Sequence, residues 1–475
     1  MKIKYSLVFV LVIVVTLVTN AQYDKQNITL LGHWFNPSEI AEPQLGIKYQ
    51  SVWGWVDTAH NNTEYAIQGS GSGTYFIDIS TPANPVVKDY VPGRRGLCKW
   101  REYKTYGKYL YAISDDIAPN SFQIIDLSYL PDSVHVVHDD TTIFERAHTL
   151  FVDGDKLYCG SVTRPSGTGY YSMAVYSLAD PEFPVLLRAL NQDYPSIGFA
   201  HDMYVRNDTV YASCGYQGLF IYKFNADSTF SLINSLTSYP DQGYNHSSYL
   251  TPNSQHLIFC DEVPSNKAVK IINVSDLQNI SVESTFKSTE GASPHNPYIF
   301  GSNRAVIAYY QDGLQIYNIT DPALPVRTGY FDTDTIDGVS NNYNAPNPHY
   351  HGCWGAYVDL PSGKILASDM QNGLFILDAD VALGIKENKI NTTNSITLFP
   401  NPTTNNISIA LRLKNTDNLL FEMFDIKGRK INSKTESIPA GNTTKTINTE
   451  QLASGIYILR ITGKEINFSQ KVLKK

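Results

Sequence analysis

The sequence predicts an all-β chain, a seven-bladed β-propeller followed by a small C-terminal β-sandwich. Three features carry that expectation. A phrase of β-branched and aromatic residues ending in a polar turn, often with proline, recurs seven times at intervals of roughly 40–60 residues. The runs between its copies read as further short strands, which gives about four strands per repeat. After Asp380 the composition changes and a second pattern of alternating strands begins.

The phrase is clearest as LQIYNITDPALPV at 314–326. It also reads TYFIDISTPANPV at 74–86, SFQIIDLSYLPDSV at 121–134 and MAVYSLADPEFPV at 173–185. Further copies are LFIYKFNADSTFSL at 219–232, VKIINVSDLQNISV at 269–282 and a shortened LFILDAD at 374–380. Strands covered on both faces read as near-continuous apolar runs. The Asp/Asn-Pro turn then ends the ladder, because proline lacks an N–H, and releases the chain into an outer strand.

Residues 1–21 read as a secretory signal peptide. Lys2 and Lys4 precede an apolar stretch from Leu7 to Val18, and Thr19-Asn20-Ala21 offers small residues for cleavage before Gln22. The apolar stretch is too short for a membrane span, and no other segment reads as transmembrane. The propeller is expected over 22–384, with blades at about 53–93, 97–142, 143–193, 194–240, 241–289, 290–334 and 349–380. The last blade has three strands of its own. NITLLGHW at 27–34 resembles the outer strands and is expected to supply the fourth, leaving no open edge. The loop at 332–348 contains DTDTIDG, one residue off the EF-hand spacing and with no glutamate following in place, so calcium is not expected there. Residues 385–395 read as a polar linker. The strands of 396–475, with a turn at Asp425-Ile426-x-Gly428-Arg429, read as the sandwich.

A net charge of −8 over 475 residues, with 17% charged residues, gives no basic footprint for a nucleic-acid partner. The 32 tyrosines are read first as strand formers, with a surface glycan site as the lesser alternative. Five cysteines are an odd set for an exported chain. Cys159, Cys214 and Cys260 close near-equivalent strands, which argues for small buried hydrophobes over a disulfide framework.

Two resemblances add to this reading. Phe399-Pro400-Asn401-Pro402, Phe424-Asp425-Ile426-x-Gly428-Arg429, Leu452-x-Ser454-Gly455-Ile456-Tyr457 and the basic last residues resemble the type A sorting domain of the bacterial type IX secretion system. That resemblance implies the type IX secretion machinery as a partner. It also implies transport across the outer membrane, removal of the tail, and cargo that is anchored to the surface or released. Over about 53–380 the chain resembles the LVIVD-repeat proteins of the choice-of-anchor B family. The residues that carry this are Trp53-Gly54-Trp55, Trp100-Arg101-Glu102-x-Lys104-Thr105-Tyr106-Gly107, Trp354-Gly355-x-Tyr357, Pro361-Ser362-Gly363 and Ser368-Asp369-x-x-x-Gly373-Leu374-Phe375, with the histidine that opens blades three to six. It implies a surface location and no particular reaction.

Aligned on their second strands, the blades place Trp55, Arg101, His148 and His201 each ten residues before a tyrosine. His246, His295 and His351 follow at similar places. Innermost strands surround a central channel, so these side chains are expected to converge at one mouth with Asp115, Asp116, Asp261, Glu262 and Asp369. His148, His201, His246, His295 and His351 are therefore candidate ligands for a divalent metal ion. Arg101, Glu102, Glu262, Asp369 and Trp354 are candidate ligand-binding residues. A single histidine at a strand start is better explained by a hydrogen bond to the next blade or by channel water, and only its recurrence at the channel mouth gives the metal reading equal weight. No H-E-x-x-H, Gly-x-Ser-x-Gly or phosphate loop is present. Two functions fit: a surface binding protein with a metal or small-ligand site at the channel mouth, or a metal-dependent hydrolase or lyase with Glu262 or Asp369 as base.

Overall fold

The structure, a computed structural model, describes residues 23–116, 120–165, 168–334, 350–385, 395–426, 428–464 and 466–475. The signal-peptide reading, most of the 332–348 loop and nearly all of the linker fall outside these residues. The chain divides into two compact units, 1–385 and 386–475.

Strands dominate both units, because runs such as FQIID and VKIIN bury every side chain or nearly every one and have no polar stripe to offer as a helix face. Among the described residues, the first unit contains seven antiparallel sheets of four or five strands. Their innermost strands are Tyr49–Asp57, Arg101–Tyr106, Thr149–Asp153, Asp202–Arg206, Asn245–Leu250, Asn296–Phe300 and Cys353–Tyr357. Each neighbours the next, and the last neighbours the first, so the arrangement is propeller-like. The first sheet starts at Tyr49, a few residues before the expected Trp53, since Tyr49 pairs with Ser70.

The repeated phrase forms the third strand of each sheet and the turn into the fourth. In all seven sheets the pairing between these two strands slips by a residue, for example between Ile221 and Tyr222 or between Ile316 and Tyr317. Such bulges twist an outer strand away from a flat edge that other chains could extend.

The N-terminal segment serves two sheets. Thr29–Trp34 pairs with Gly373–Asp378 of the seventh sheet and carries the same bulge, between Leu30 and Gly32. Lys25–Gln26 pairs instead with Tyr330 and Phe331, adding a fifth strand to the sixth sheet. The single outer strand expected over 27–34 is thus shorter, and its first residues turn to the neighbouring sheet. Ile28, between the two, is buried among Val306, Ile316 and Leu377. Gly32 lies so close to Pro82 that a Cβ would stand 1.6 Å from the proline carbonyl oxygen.

All five cysteines are buried and free. One fully buried ion pair, Lys270 Nζ to Asp261 Oδ2 at 2.6 Å, sits in the fifth sheet.

In the second unit, Ser395–Phe399, Asn406–Leu413 and Gly441–Asn448 form one sheet. Asp417–Asp425, Lys430–Ile438, Gly455–Thr462 and Asn467–Lys474 form another. Ile407 and Ile409 from the first share a core with Leu419, Leu459 and Ile461 from the second. The Asp425 turn closes through Gly428 at φ +76° and through Arg429, whose backbone N–H and Nε both donate to the Asp425 carboxylate.

Candidate functional site

A ring-bearing residue stands next to the first residue of six of the seven innermost strands, and these rings form a continuous arc. Centroids of His148 and His201 are 4.2 Å apart, of His201 and His246 4.1 Å, and of His246 and His295 4.3 Å. The arc continues from His295 to Trp354 at 4.3 Å and from Trp354 to Trp100 at 5.0 Å. Sheets two to seven thus each contribute one ring. At the corresponding place the first sheet contributes Gln50, whose Nε2 donates to the Cys98 carbonyl.

Below the arc lies a cavity of about 240 Å³ lined by all seven innermost strands. Its wall carries Trp53, Phe151, Tyr204, Tyr249, Tyr298 and Tyr357, with charged side chains Glu102, Lys104, Asp202 and Asp359. Burial holds the Lys104 ammonium below its usual range, and its Nζ stands 4.4 Å from the Trp53 ring. Burial raises the Asp202 carboxyl to about 6.

Hydrogen bonds fix the state of several histidines. His201 Nδ1 lies 2.9 Å from the His246 carbonyl oxygen, so that nitrogen donates and Nε2 carries the lone pair. His148 Nε2 lies 2.7 Å from that lone pair and must donate, while His148 Nδ1 bonds the Asp115 carboxylate. Both His148 nitrogens are donors, which makes it an imidazolium. Burial alone would lower its pKa, but Asp115 raises it above the ordinary value. His295 Nδ1 donates to the Trp354 carbonyl, leaving Nε2 as a lone pair that is buried and has no partner. Burial and the neighbouring imidazoles hold His201 and His246 well below the ordinary histidine range, and burial holds His295 at about 3.

Glu262 stands behind this pair. One ligand atom each from His246, Glu262 and His295 lies within 4.8 Å of the others, and all three residues are buried. Glu262 Oε2 is 3.8 Å from His246 Nε2, and Oε1 accepts a 2.5 Å hydrogen bond from the Tyr310 hydroxyl. Burial raises the Glu262 carboxyl to about 7 against the lowering effect of Tyr310. Tyr310 adopts φ +45°, an unusual conformation for an aromatic residue. It is held there by paired backbone bonds with Cys353. Gly352, at φ +86°, permits that approach, since a Cβ there would lie 2.2 Å from the Tyr310 carbonyl oxygen.

His148, His201, His246, His295, Trp354, Glu102 and Glu262 are therefore brought together. Glu102 accepts from Trp354 Nε1 at 3.4 Å and from Ser51 Oγ at 2.9 Å. Four expected participants lie elsewhere. Arg101 donates to the backbone oxygens of Ser70 and Arg95 and fills the space beside Gly93, so its charge tethers loops. Asp369 accepts from Thr333 Oγ1 and from the N–H groups of Gln371 and Asn372, capping a turn of the seventh sheet. His351 precedes the seventh sheet's inner strand and does not line the cavity; Trp354 occupies the arc position there. Asp261 is likewise committed, to Lys270, Tyr239 and the Gly243 N–H.

The aromatic wall was legible but overlooked. Every ring of the arc is followed three residues later by another aromatic: His148 by Phe151, His201 by Tyr204, His246 by Tyr249, His295 by Tyr298, Trp354 by Tyr357 and Trp100 by Tyr103. Tyr310 had no such signal.

Residues 397–475 match the family described as "Secretion system C-terminal sorting domain". The tail therefore implies engagement with type IX secretion and export to the cell surface or beyond it. No curated protein matches the chain. Among solved structures, a protein from Lactobacillus plantarum is 9% identical, with 84% of this chain and 99% of that one covered and a TM-score of 0.48. PorZ, described as an essential bacterial surface component of the type-IX secretion system of Porphyromonas gingivalis, is 10% identical. That alignment covers 90% of this chain and 68% of PorZ with a TM-score of 0.38. The WD40 β-propeller domain of Doa1 is 10% identical, with 70% and 97% covered and a TM-score of 0.44. Among the described residues no helix is long and apolar enough to cross a membrane.

Proposed function

We propose that this chain is an exported binding protein, displayed at the cell surface or released, whose first unit is a seven-bladed propeller of the LVIVD-repeat, choice-of-anchor B kind. The second unit is read as a sandwich that serves as the sorting signal, and residues 1–21 as the signal peptide that starts the route. The axial cavity is the binding site, for a metal ion or a small surface ligand such as a glycan fragment. The observation that carries the binding reading is the arc itself. Buried polar atoms without partners are uncommon in folded proteins, and here His295 Nε2 and Ser248 Oγ both belong to residues lining one cavity.

A second reading, a metal-dependent hydrolase or lyase, is favoured by Glu262, a buried carboxyl titrating near 7 beside two histidines. Turnover of substrate by the purified chain, lost in Glu262→Gln, would select that reading.

Native mass spectrometry on the mature protein, recovered from the surface fraction without chelator, tests the binding reading. A co-purifying ion or small molecule is expected; a small molecule should be lost in a Trp100→Ala, Trp354→Ala double variant, and an ion in a His246→Ala, His295→Ala double variant. A bare chain would contradict the reading.

A further inference from the structure

We infer that His246, His295 and Glu262 form a three-ligand site for a zinc-type divalent cation, with its fourth position open to the axial cavity. The inference rests on the reading of that cavity as a binding site, and goes beyond it by naming the ion class and the ligand atoms' owners.

Donor chemistry comes first. Two imidazoles and one carboxylate are a common donor set for zinc sites that keep an open coordination position. Nitrogen donors select borderline transition ions over calcium or magnesium, which take oxygen shells. All three side chains are buried, at 4%, 1% and 6% exposure, so the grouping is unlike an exposed acidic patch. Their candidate ligand atoms already lie within 4.8 Å of one another. Ligands at about 2.0–2.1 Å from a tetrahedral ion stand roughly 3.3–3.5 Å apart. Closing that gap takes about an ångström of relative movement of the ligand atoms.

The surrounding bonds have the form that a metal site needs. Metal-bound histidines generally donate their other ring N–H to a carbonyl or carboxylate, which fixes the tautomer and aims the lone pair. His295 does this through Nδ1 to the Trp354 carbonyl, and its Nε2 is left without a partner. Ligating carboxylates are likewise held by hydrogen bonds, and Tyr310 holds Glu262 Oε1 at 2.5 Å while Oε2 faces His246. His246 and His295 line the cavity and Glu262 does not, which places the open side of the trio toward the axis. The remaining histidines of the arc are committed differently. His148 donates from both nitrogens, to Asp115 and to His201, and so has no lone pair to offer. Four histidines in a row therefore supply two ligands.

Elemental analysis and cobalt spectroscopy on the full chain test this. After dialysis against zinc and removal of loose metal, the wild type should retain about one zinc per chain. His295→Ala and Glu262→Gln should each lose it, with at least a tenfold weaker affinity, while His60→Ala, at an exposed turn away from the cavity, keeps it. Cobalt substitution should give the intense visible bands of a four-coordinate site in the wild type alone. Circular dichroism checks that each variant folds. If a variant unfolds, the wild-type cobalt spectrum and its displacement by zinc still decide. No bound metal in the wild type, or equal metal in wild type and the folded variants, would overturn the site. An organic molecule co-purifying with a metal-free chain would sink this inference and leave the binding reading standing. Zinc bound tightly in vitro by a chain recovered bare from the surface would do the reverse.

Discussion

Tyr310 reaches across from the sixth sheet to give Glu262 of the fifth a 2.5 Å hydrogen bond, and does so from a backbone φ of +45°. A strained aromatic residue bonded to a buried carboxyl beside two histidines is the form of a site held in place by its surroundings. Tyr310→Phe removes only the hydroxyl. The fold is expected to persist, and zinc affinity to fall by about 10–100-fold, the range for loss of an outer-shell partner. Unchanged affinity in a competition titration would remove Tyr310 from the site.

The ring's two chain ends meet at Thr29–Trp34 and Gly373–Asp378. Deleting 27–34 exposes the edge of the seventh sheet and uncovers the cluster around Leu374 and Ile376. A lower melting temperature and concentration-dependent aggregation are expected. A deletion variant that melts like the parent would show that this pairing contributes nothing to closure.

Glu64 of the first sheet clasps the seventh. It accepts from the Ser362 N–H, Ser362 Oγ and Lys364 Nζ at 2.8, 2.7 and 2.9 Å. Burial would raise its pKa, but these partners bring it below the ordinary glutamate value. The folded state therefore binds fewer protons than the unfolded chain around pH 4.5, and the contribution is present above that pH and lost as pH falls through the folded pKa. Glu64→Gln is expected to cost about 1–2 kcal/mol at pH 7. The gap to the parent should close in acid. Denaturant melts at several pH values check this, and a gap independent of pH would contradict it.

Lys270 and Asp261 form an ion pair with no solvent exposure. Removing one partner leaves an uncompensated buried charge, so Lys270→Ala should cost about 3–5 kcal/mol. A Lys270→Met, Asp261→Asn double variant should recover much of that loss. A single variant as stable as the parent would mean that water reaches the pair.

The repeat phrase was legible because doubly covered strands must be apolar throughout and must end at a turn, as in LQIYN followed by ITDP. The four histidines were also legible at one level, since each stands at the start of an innermost strand. The sequence could not say what they bond. His148 and His295 occupy equivalent positions, yet one is an imidazolium beside Asp115 and the other keeps a bare lone pair, because the second partner comes from a different sheet each time. Arg101 and Asp369 looked equally suited to the rim, and backbone groups of Ser70, Gln371 and Asn372 claimed them. Short-range spacing carries no record of those long-range partners. The division of Lys25–Trp34 between two sheets was hidden for the same reason.

The central claim is a division of labour, in which the tail carries the protein out and the ring of sheets binds. The most direct test compares the full chain with a version ending after Asn391, both expressed in a host with type IX secretion. Intact cells are treated with added protease, and fractions are probed for the first unit. The full chain is expected at the surface or in the medium, and the shortened chain folded and protected in the periplasm. A shortened chain that reaches the surface as efficiently as the full one would contradict the account.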